Sequence, residues 1–468
     1  MNILEKNHFP QRKRSLILYE LNEVPWRVID WYISRHPRSA FASLLKSSTT
    51  YTTVTRDEGE LHPWTTWPSL HRGVYNTSHN IRFINQDLTG ADDYPPVWQT
   101  LKDMGKSVGV FGSLQSYSGL QPGYSFYVPD TFSPGYETLP GEYSAFQRFN
   151  LRQTQQDGAE ASSIKVNTSV AADVFNMIQT GLSFKVCRAM ATHIANEQIN
   201  SLYRSRRSVL QGLVAFDIFK HALNKGRPDF CTFFTNHVAG MMHRYWRPTF
   251  PEDFKFVSTD SSDWFHADSI RYAMDIADMQ LYYLMRYTDS IDGVLMLASS
   301  MGQEAIDRGE YFGEWRIKDV QQFLGAIEWK LPVKNMMAMQ PDFTFAFNSE
   351  MDAKRFLTLV DGLVDNYNIP VFKRAHQIGP TVNLGLSPSK EAVSAHEITF
   401  ATNGKAQRRM KIENLGIQVL NRDPGTGYHQ PRGVLFLYGN GIEHDDSRSD
   451  IELTEIRPAI LELMEVSQ

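Results

Sequence analysis

Five short runs of nearly unbroken apolar residues punctuate the chain: Ser15–Leu21, Ser107–Phe111, Phe230–Thr235, Gly293–Ala298 and Gly433–Tyr438. Most are rich in β-branched or aromatic residues and lack the alternation of a half-exposed strand. They predict strands buried on both faces. Helical patterns lie between them. Trp26–Ser34 is one, and Pro96–Met104 is another, closed by Gly105 as a helix-ending glycine. Asp268–Tyr287 places Tyr272, Ile276, Met279 and Tyr283 on one face, with Asp268 as its N-cap. Thr454–Met464 is a further helix. Strands that alternate with helices predict an α/β fold with a mostly parallel central sheet and helices on both faces.

Two stretches break this rhythm. Residues 150–228 carry helix-favouring runs, Val170–Thr180 and Ala195–Leu223, and no strand signal, so they read as a helical insertion. Residues 331–420 are mixed, with Gly379-Pro380 and Ser387-Pro388 as breakers. The expected organisation is a core in three parts, 1–149, 229–330 and 421–468. The insertion at 150–228 and the mixed region at 331–420, expected on the substrate side, interrupt it.

Composition removes several classes. The chain has 468 residues, with 47 Lys+Arg against 52 Asp+Glu and a hydrophobic fraction of 42%. That is the make-up of a folded globular protein, and its formal charge of −5 argues against a nucleic-acid partner. Cys187 and Cys231 make neither a disulfide framework nor a CxxC zinc site. Met1–Arg14 is polar and basic, and the apolar run after it is too short for a signal sequence. No stretch reaches the roughly 18 apolar residues of a membrane helix. The expectation is a cytoplasmic protein with no transmembrane segment. Arg204–Arg207 is a basic segment, read as a solvated helix face in preference to a peripheral membrane contact.

In open α/β sheets ligands gather at the carboxyl ends of the strands. Those ends carry Glu20-Leu21-Asn22-Glu23, then Asn236-His237 through His243, then Ser299-Ser300-Met301-Gly302. Gly425-Thr426-Gly427-Tyr428-His429 precedes the last strand, and a separate segment reads His62-Pro63-Trp64-Thr65-Thr66-Trp67-Pro68-Ser69. Histidines and hydroxyls converging on one sheet edge suit a borderline metal such as zinc, with a threonine as a nucleophile it would polarise.

The order of these motifs resembles the alkaline phosphatase superfamily, in particular its type I phosphodiesterase/nucleotide pyrophosphatase branch. Thr66-Trp67-Pro68 stands where that family has Thr-Phe-Pro. Gly73-Val74-Tyr75 followed by His79-Asn80-Ile81 matches the next segment. Val97 to Leu101, then Gly105 to Gly109, match the helix and strand after it. Gly427-Tyr428-His429, Leu437 to Gly441 and Ile456 to Leu461 match the end. The resemblance implies a phosphoester-active hydrolase or phosphotransferase, with Thr66 as catalytic nucleophile.

The family's two metals are held by three Asp and three His, and here most of those positions have changed. Asn22, Ala239, Ser300 and Met301 occupy ligand positions with groups that are poor ligands. His243 and His429 keep the family's residue type, and His237 is the expected third ligand by a shifted turn. The expected cofactor is therefore zinc or another divalent metal, one or none. The expected partner is a small-molecule phosphoester or a glycan-type substrate. Glu20, Glu23 and His62 are candidate bases, Arg72 and Arg82 candidate phosphate holders, and Trp64, Trp67, Tyr245 and Trp246 candidate stacking groups. The alternatives are a remodelled member that binds or transfers a glycan or anionic ligand without the two-metal centre, and a catalytically inactive scaffold.

Overall fold

A computed structural model describes residues 14–84, 86–116, 122–155, 168–255, 261–306, 314–336, 343–365, 369–386, 397–400, 408–420 and 425–465. The basic stretch before Arg14 and the breaker Ser387-Pro388 lie outside them. The chain divides into two compact units, one of residues 1–82, 86–307 and 425–468, the other of 83–85 and 308–424.

In the first unit the five apolar runs are strands: β1 (Leu16–Leu21), β3 (Val108–Phe111), β5 (Phe230–Thr235), β6 (Val294–Ala298) and β9 (Leu435–Gly439). Five more join them: β2 (Ser48–Val54), β4 (Phe126–Val128), β7 (Gly302–Ala305), β8 (Gly427–Gln430) and β10 (Asp445–Glu452). The central sheet has eight strands in the order β10-β2-β9-β6-β1-β5-β3-β4. β1 lies between β5 and β6 and runs parallel to both, with Leu16 opposite Phe230 and Val294. Only β9 is antiparallel to its neighbours β2 and β6. The α/β class read from the sequence is the one observed.

β2 escapes a search for apolar runs because it reads Ser-Thr-Thr-Tyr-Thr-Thr-Val. Its β-branched threonines favour the extended chain, and their hydroxyls are satisfied inside the fold. Thr53 Oγ1 donates to the Ser299 carbonyl at 2.8 Å and Thr52 Oγ1 to that of Arg448 at 3.0 Å.

Helices cover both faces. They are α1 (Trp26–Arg35), α2 (Ala40–Leu45), α3 (Pro63–Arg72), α4 (Asn76–His79), α5 (Val97–Asp103), α6 (Ser144–Gln155), α7 (Thr168–Gln179) and α8 (Phe184–Ile199). Next come α9 (Arg207–Gly226), α10 (His237–Thr249), α11 (Asp263–His266) and α12 (Ser269–Ser290), and a helix at Ile456–Glu465 closes the unit. The alternation of β1 divides the core in two. Ile17, Tyr19 and Leu21 face α1, α9, α10 and α12. Leu16 and Leu18 face α3, α5 and the closing helix.

Three local expectations change. The run Ala195–Leu223 is not one helix. Asn200 breaks it by accepting the Leu202 N–H at 3.0 Å, and a 3-10 turn, Ser201–Arg206, precedes α9. Asp268 sits at the N-cap of α12 but its carboxylate turns to Arg271 and caps nothing. The buried face of α12 runs through Ile270, Ala273, Met274, Ala277, Leu281 and Leu284, and Met279 is exposed.

The second unit has its own core, with Trp315, Phe323, Phe345 and Phe356 at its centre. A four-stranded antiparallel sheet runs in the order Phe372–Ile378, Thr381–Leu386, Phe343–Phe347, Val333–Met336. Strand Glu314–Ile317 pairs with Ile417–Leu420, so this unit begins before the expected boundary at 331.

One buried polar pair stitches β1 to α3. Glu20 Oε1 lies 2.7 Å from His71 Nε2, both residues almost wholly buried, with Trp98 edge-on to the imidazole. Removing one partner strands the other in apolar surroundings. Glu20→Ala should cost about 3–5 kcal/mol in urea unfolding, and Glu20→Leu with His71→Leu should recover most of that loss.

Candidate functional site

The parallel strands β1, β5 and β6 end at Leu21, Thr235 and Ala298, so the residues after them share one edge of the sheet. Asn22 follows β1. Its Oδ1 accepts from Trp67 Nε1 at 2.7 Å, and its Nδ2 donates to Asn236 Oδ1 at 2.6 Å and to Glu23 Oε1 at 2.8 Å. Thr66, on α3, shares a 2.7 Å hydrogen bond with Ser300, and both hydroxyls are completely buried. Met301 is also fully buried. The sequence-derived positions Asn22, Thr66, Ser300 and Met301 are thus neutral groups, and the polar ones have neutral partners, except where Asn22 also reaches Glu23.

A charged cluster stands beside them. Glu23 takes φ 61°, the left-handed region, which costs a residue with a Cβ about 1–2 kcal/mol. The turn swings its carboxylate under two imidazoles. Glu23 Oε2 lies 2.9 Å from His243 Nε2 and 3.4 Å from His429 Nε2. Gln303 Nε2 donates to the same oxygen and also to the Ala239 carbonyl at 3.2 Å. Ala239 therefore takes part through its backbone, while its side chain packs in the core.

His243 and His429 come from different elements. His243 is on α10, and His429 is on β8, which pairs antiparallel to β7 with His429 opposite Gln303. Two glycines let β8 approach α10. A Cβ on Gly427 would stand 2.4 Å from the Met242 carbonyl oxygen, and one on Gly425, at φ +85°, 2.2 Å from that of His243. The imidazole rings end 4.9 Å apart, centre to centre.

The protons of this cluster follow from its partners. His243 Nδ1 lies 3.0 Å from the Gly427 carbonyl oxygen, which only accepts, so Nδ1 carries a hydrogen. In the neutral ring, Nε2 would then turn a lone pair on the Glu23 carboxylate. That contact is tolerable only with a second proton or a cation between them. Burial pushes the Glu23 carboxyl up, but His429 and His243 hold it well below the usual carboxylate range. Burial lowers His429, and the Glu23 charge overcomes this and raises it above its ordinary value. The carboxylate and the imidazoles thus favour one another's charged forms, and a divalent cation would compete with protons for the same atoms.

The donor set fits such a cation. One carboxylate oxygen and two imidazole nitrogens lie within 4.8 Å of one another, the one such group among the described residues. The Gly427 carbonyl orients His243 from behind, as outer partners of metal-bound histidines do. His243 is the open side, with a third of its side chain exposed. His62 stacks on Trp64 at 4.2 Å and stands edge-on to His429 at 5.8 Å. Tyr428 lies against His429 and donates to Glu60.

Other sequence candidates go elsewhere. His237 is not in the cluster. Its Nδ1 meets Thr235 Oγ1 at 2.6 Å and its Nε2 the Ala273 carbonyl at 3.1 Å, and burial lowers it to about 4. Its place in the first turn of α10 points it into the helical layer, and the group beside His243 and His429 is Glu23, directly after Asn22 at the end of β1. Glu20 is committed to His71. Arg72 donates from its buried Nη1 to the Ala91 carbonyl at 2.8 Å, and Arg82 to that of Glu58 at 3.2 Å. Trp67 and Trp246 are core residues, and Tyr245 stacks on His266 at 4.1 Å.

Asp57, Ser69 and His79 resemble a nucleophilic triad but run in reverse. His79 Nδ1 accepts from the Ile81 N–H at 3.0 Å, so its Nε2–H donates to Ser69 Oγ at 2.9 Å, and Ser69 donates to Asp57 Oδ1 at 2.6 Å. A catalytic serine needs an imidazole that accepts its proton. This group instead holds α4 to α3.

No protein-family model matches the chain, and no curated protein matches it by sequence. Among solved structures, 97% of the chain aligns with 95% of murine ectonucleotide pyrophosphatase/phosphodiesterase 5, at 11% identity and a TM-score of 0.43. Phosphonoacetate hydrolase from Sinorhizobium meliloti, solved with phosphonoacetate, aligns over 98% of its length with 99% of the chain, at 11% identity and a TM-score of 0.41. A mutant of alkaline phosphatase PafA aligns over 97% of its length with 98% of the chain, at 13% identity and a TM-score of 0.44.

Two outcomes follow from the geometry. Gly427→Ala should push β8 from α10, lower stability by about 1–3 kcal/mol and part His429 from His243, read by thermal unfolding and zinc titration. Burial, with Arg72 and Arg82 nearby, lowers His79 to about 3. The unfolded chain, with a histidine near pH 6.5, protonates first, so His79 makes stability fall as pH drops from about 6.5 to 3. His79→Gln should flatten that limb of the urea midpoint against pH and leave the profile above it unchanged.

Proposed function

We propose that the chain is a phosphoester-active enzyme of the hydrolase or phosphotransferase class, built around one divalent cation at Glu23, His243 and His429, with Thr66 as its nucleophile. The observation that carries this reading is the Glu23 carboxylate turned, in a strained backbone, onto two imidazoles. The order of motifs, which resembles that of the alkaline phosphatase superfamily, adds the reaction class. Fold and motif order alone do not fix chemistry, so the reading rests on the cluster.

A divalent cation held there would neutralise charge on phosphoryl oxygens, which phosphoryl transfer requires. The chain's own groups do the rest. Asn22, pinned by Trp67, holds Glu23 Oε1 and aims the other oxygen at the histidines. Gln303 fixes that second oxygen. Thr66 hands its proton to, or receives one from, Ser300 and meets no carboxylate among the described residues. Proton removal from Thr66 is therefore the weak step, and turnover should be slow.

The buried Thr66–Ser300 pair favours one other reading, that of a protein which binds an anionic or glycan ligand without turning it over. Metal content and turnover separate the two. The enzyme reading expects one tightly held zinc or manganese per chain by elemental analysis, and turnover of bis-p-nitrophenyl phosphate or a nucleotide sugar with that metal. Glu23→Gly relieves the left-handed strain, so it should keep the fold yet lose the metal. Gln303→Leu should weaken the metal by about 10–100-fold. Absence of turnover with every metal, or turnover that survives Thr66→Ala, would leave the binding protein as the answer.

A further inference from the structure

The α7–α8 stretch points its charges the wrong way for an ordinary solvated surface. Its two acids are buried. Asp173 is held by Arg148 at 2.8 Å and Arg152 at 2.9 Å. Glu197 is held by Arg207, with His193 at 3.3 Å. Large apolar side chains face outward instead: Phe175 and Ile178 on α7, and Phe184, Ile194 and Ile199 on α8. Phe184 is 83% exposed and Ile199 86%. Soluble surfaces expose single apolar residues routinely, but not a succession along two adjoining helices.

The cations around them have the opposite habit. Lys185, Arg188 and Arg204 are exposed, and no acidic residue among the described positions from 168 to 208 is. On α8, Phe184, Arg188, Ala195 and Ile199 fall on one face at helical spacing, with Lys185 at its margin. Ile178 and Phe184 flank the short connection between the helices, so an exposed apolar group stands on either side of that corner. The basic segment Arg204–Arg207 contributes little to this. Arg206 is buried and Arg207 is paired, leaving Arg204 as its outward charge.

We propose that this corner is a peripheral docking surface for an anionic lipid bilayer. Exposed aromatic and aliphatic side chains enter the headgroup boundary, and the cations beside them meet anionic lipid. A second copy docked through the same face would bring cation against cation, which disfavours a symmetric dimer. No helix among the described residues is long and apolar enough to cross a membrane, so the contact is peripheral. The inference is independent of the metal centre.

Vesicle sedimentation of the full chain tests it. The chain should sediment with phosphatidylcholine vesicles that contain phosphatidylglycerol, not with pure phosphatidylcholine, and less at high salt. Ile178→Ser with Phe184→Ser should abolish binding. Lys185→Glu and Arg188→Glu should each lower it at least about fivefold. Met351→Ser, which alters an exposed methionine in the other unit, should change nothing, and circular dichroism should show all variants folded. Three results would overturn the proposal: no sedimentation with either vesicle, equal binding by every variant, or a dimer in light scattering that Ile178→Ser with Phe184→Ser dissolves.

Discussion

One carboxylate held against two imidazoles in a mostly buried cluster is the constraint around which the sheet edge is arranged. A buried carboxylate is unfavourable unless cations or donors surround it. Everything near Glu23 serves that need. Asn22 and Gln303 donate to its two oxygens, and His243 and His429 bring positive charge or, with metal, shared ligation. The backbone accepts a left-handed glutamate to make this possible. The glycines at 425 and 427 exist for the same end, since β8 must pass within backbone contact of α10 to deliver His429.

The other half of the edge obeys the opposite rule. Asn22, Thr66 and Ser300 are paired so that no charge is asked for and none is supplied, and Met301 fills the remaining space. A dication there would face an amide, hydroxyls and a thioether, which cannot compensate its lost hydration. The two halves meet at Asn22, whose single side chain touches Trp67 on the neutral side and Glu23 on the charged side. Helix α3 therefore positions the carboxylate although it contributes no charge to it.

The sheet was legible because strands buried on both faces must be apolar throughout, and five of them, four parallel and the antiparallel β9, were. β2 was not, because threonines that satisfy their hydroxyls internally look polar in sequence. The face of α12 picked out by periodicity was partly informative, since Ile276 is buried and Tyr272 and Tyr283 pack against the core while Met279 is exposed. In the site, motif order picked out His243 and His429, and the structure brings their imidazoles together. His237 was misplaced because one residue of helix phase decides whether a side chain near a strand end faces the edge or the helical layer. Glu23 was seen only as a possible base. Its role depends on a positive φ, which no pattern of residue types reports.

Residues 23 and 239 meet through one side chain, since Gln303 donates both to the Glu23 carboxylate and to the Ala239 carbonyl. An alanine at 239 with glycine at 23 would leave two imidazoles facing one another with no anion between them. The chain supplies the one carboxylate of the cluster from the end of β1. The helix backbone is then free to accept from Gln303, and that bond closes the ring of partners around Glu23. The cluster thus draws its carboxylate from the end of β1, one imidazole from α10 and the other from β8.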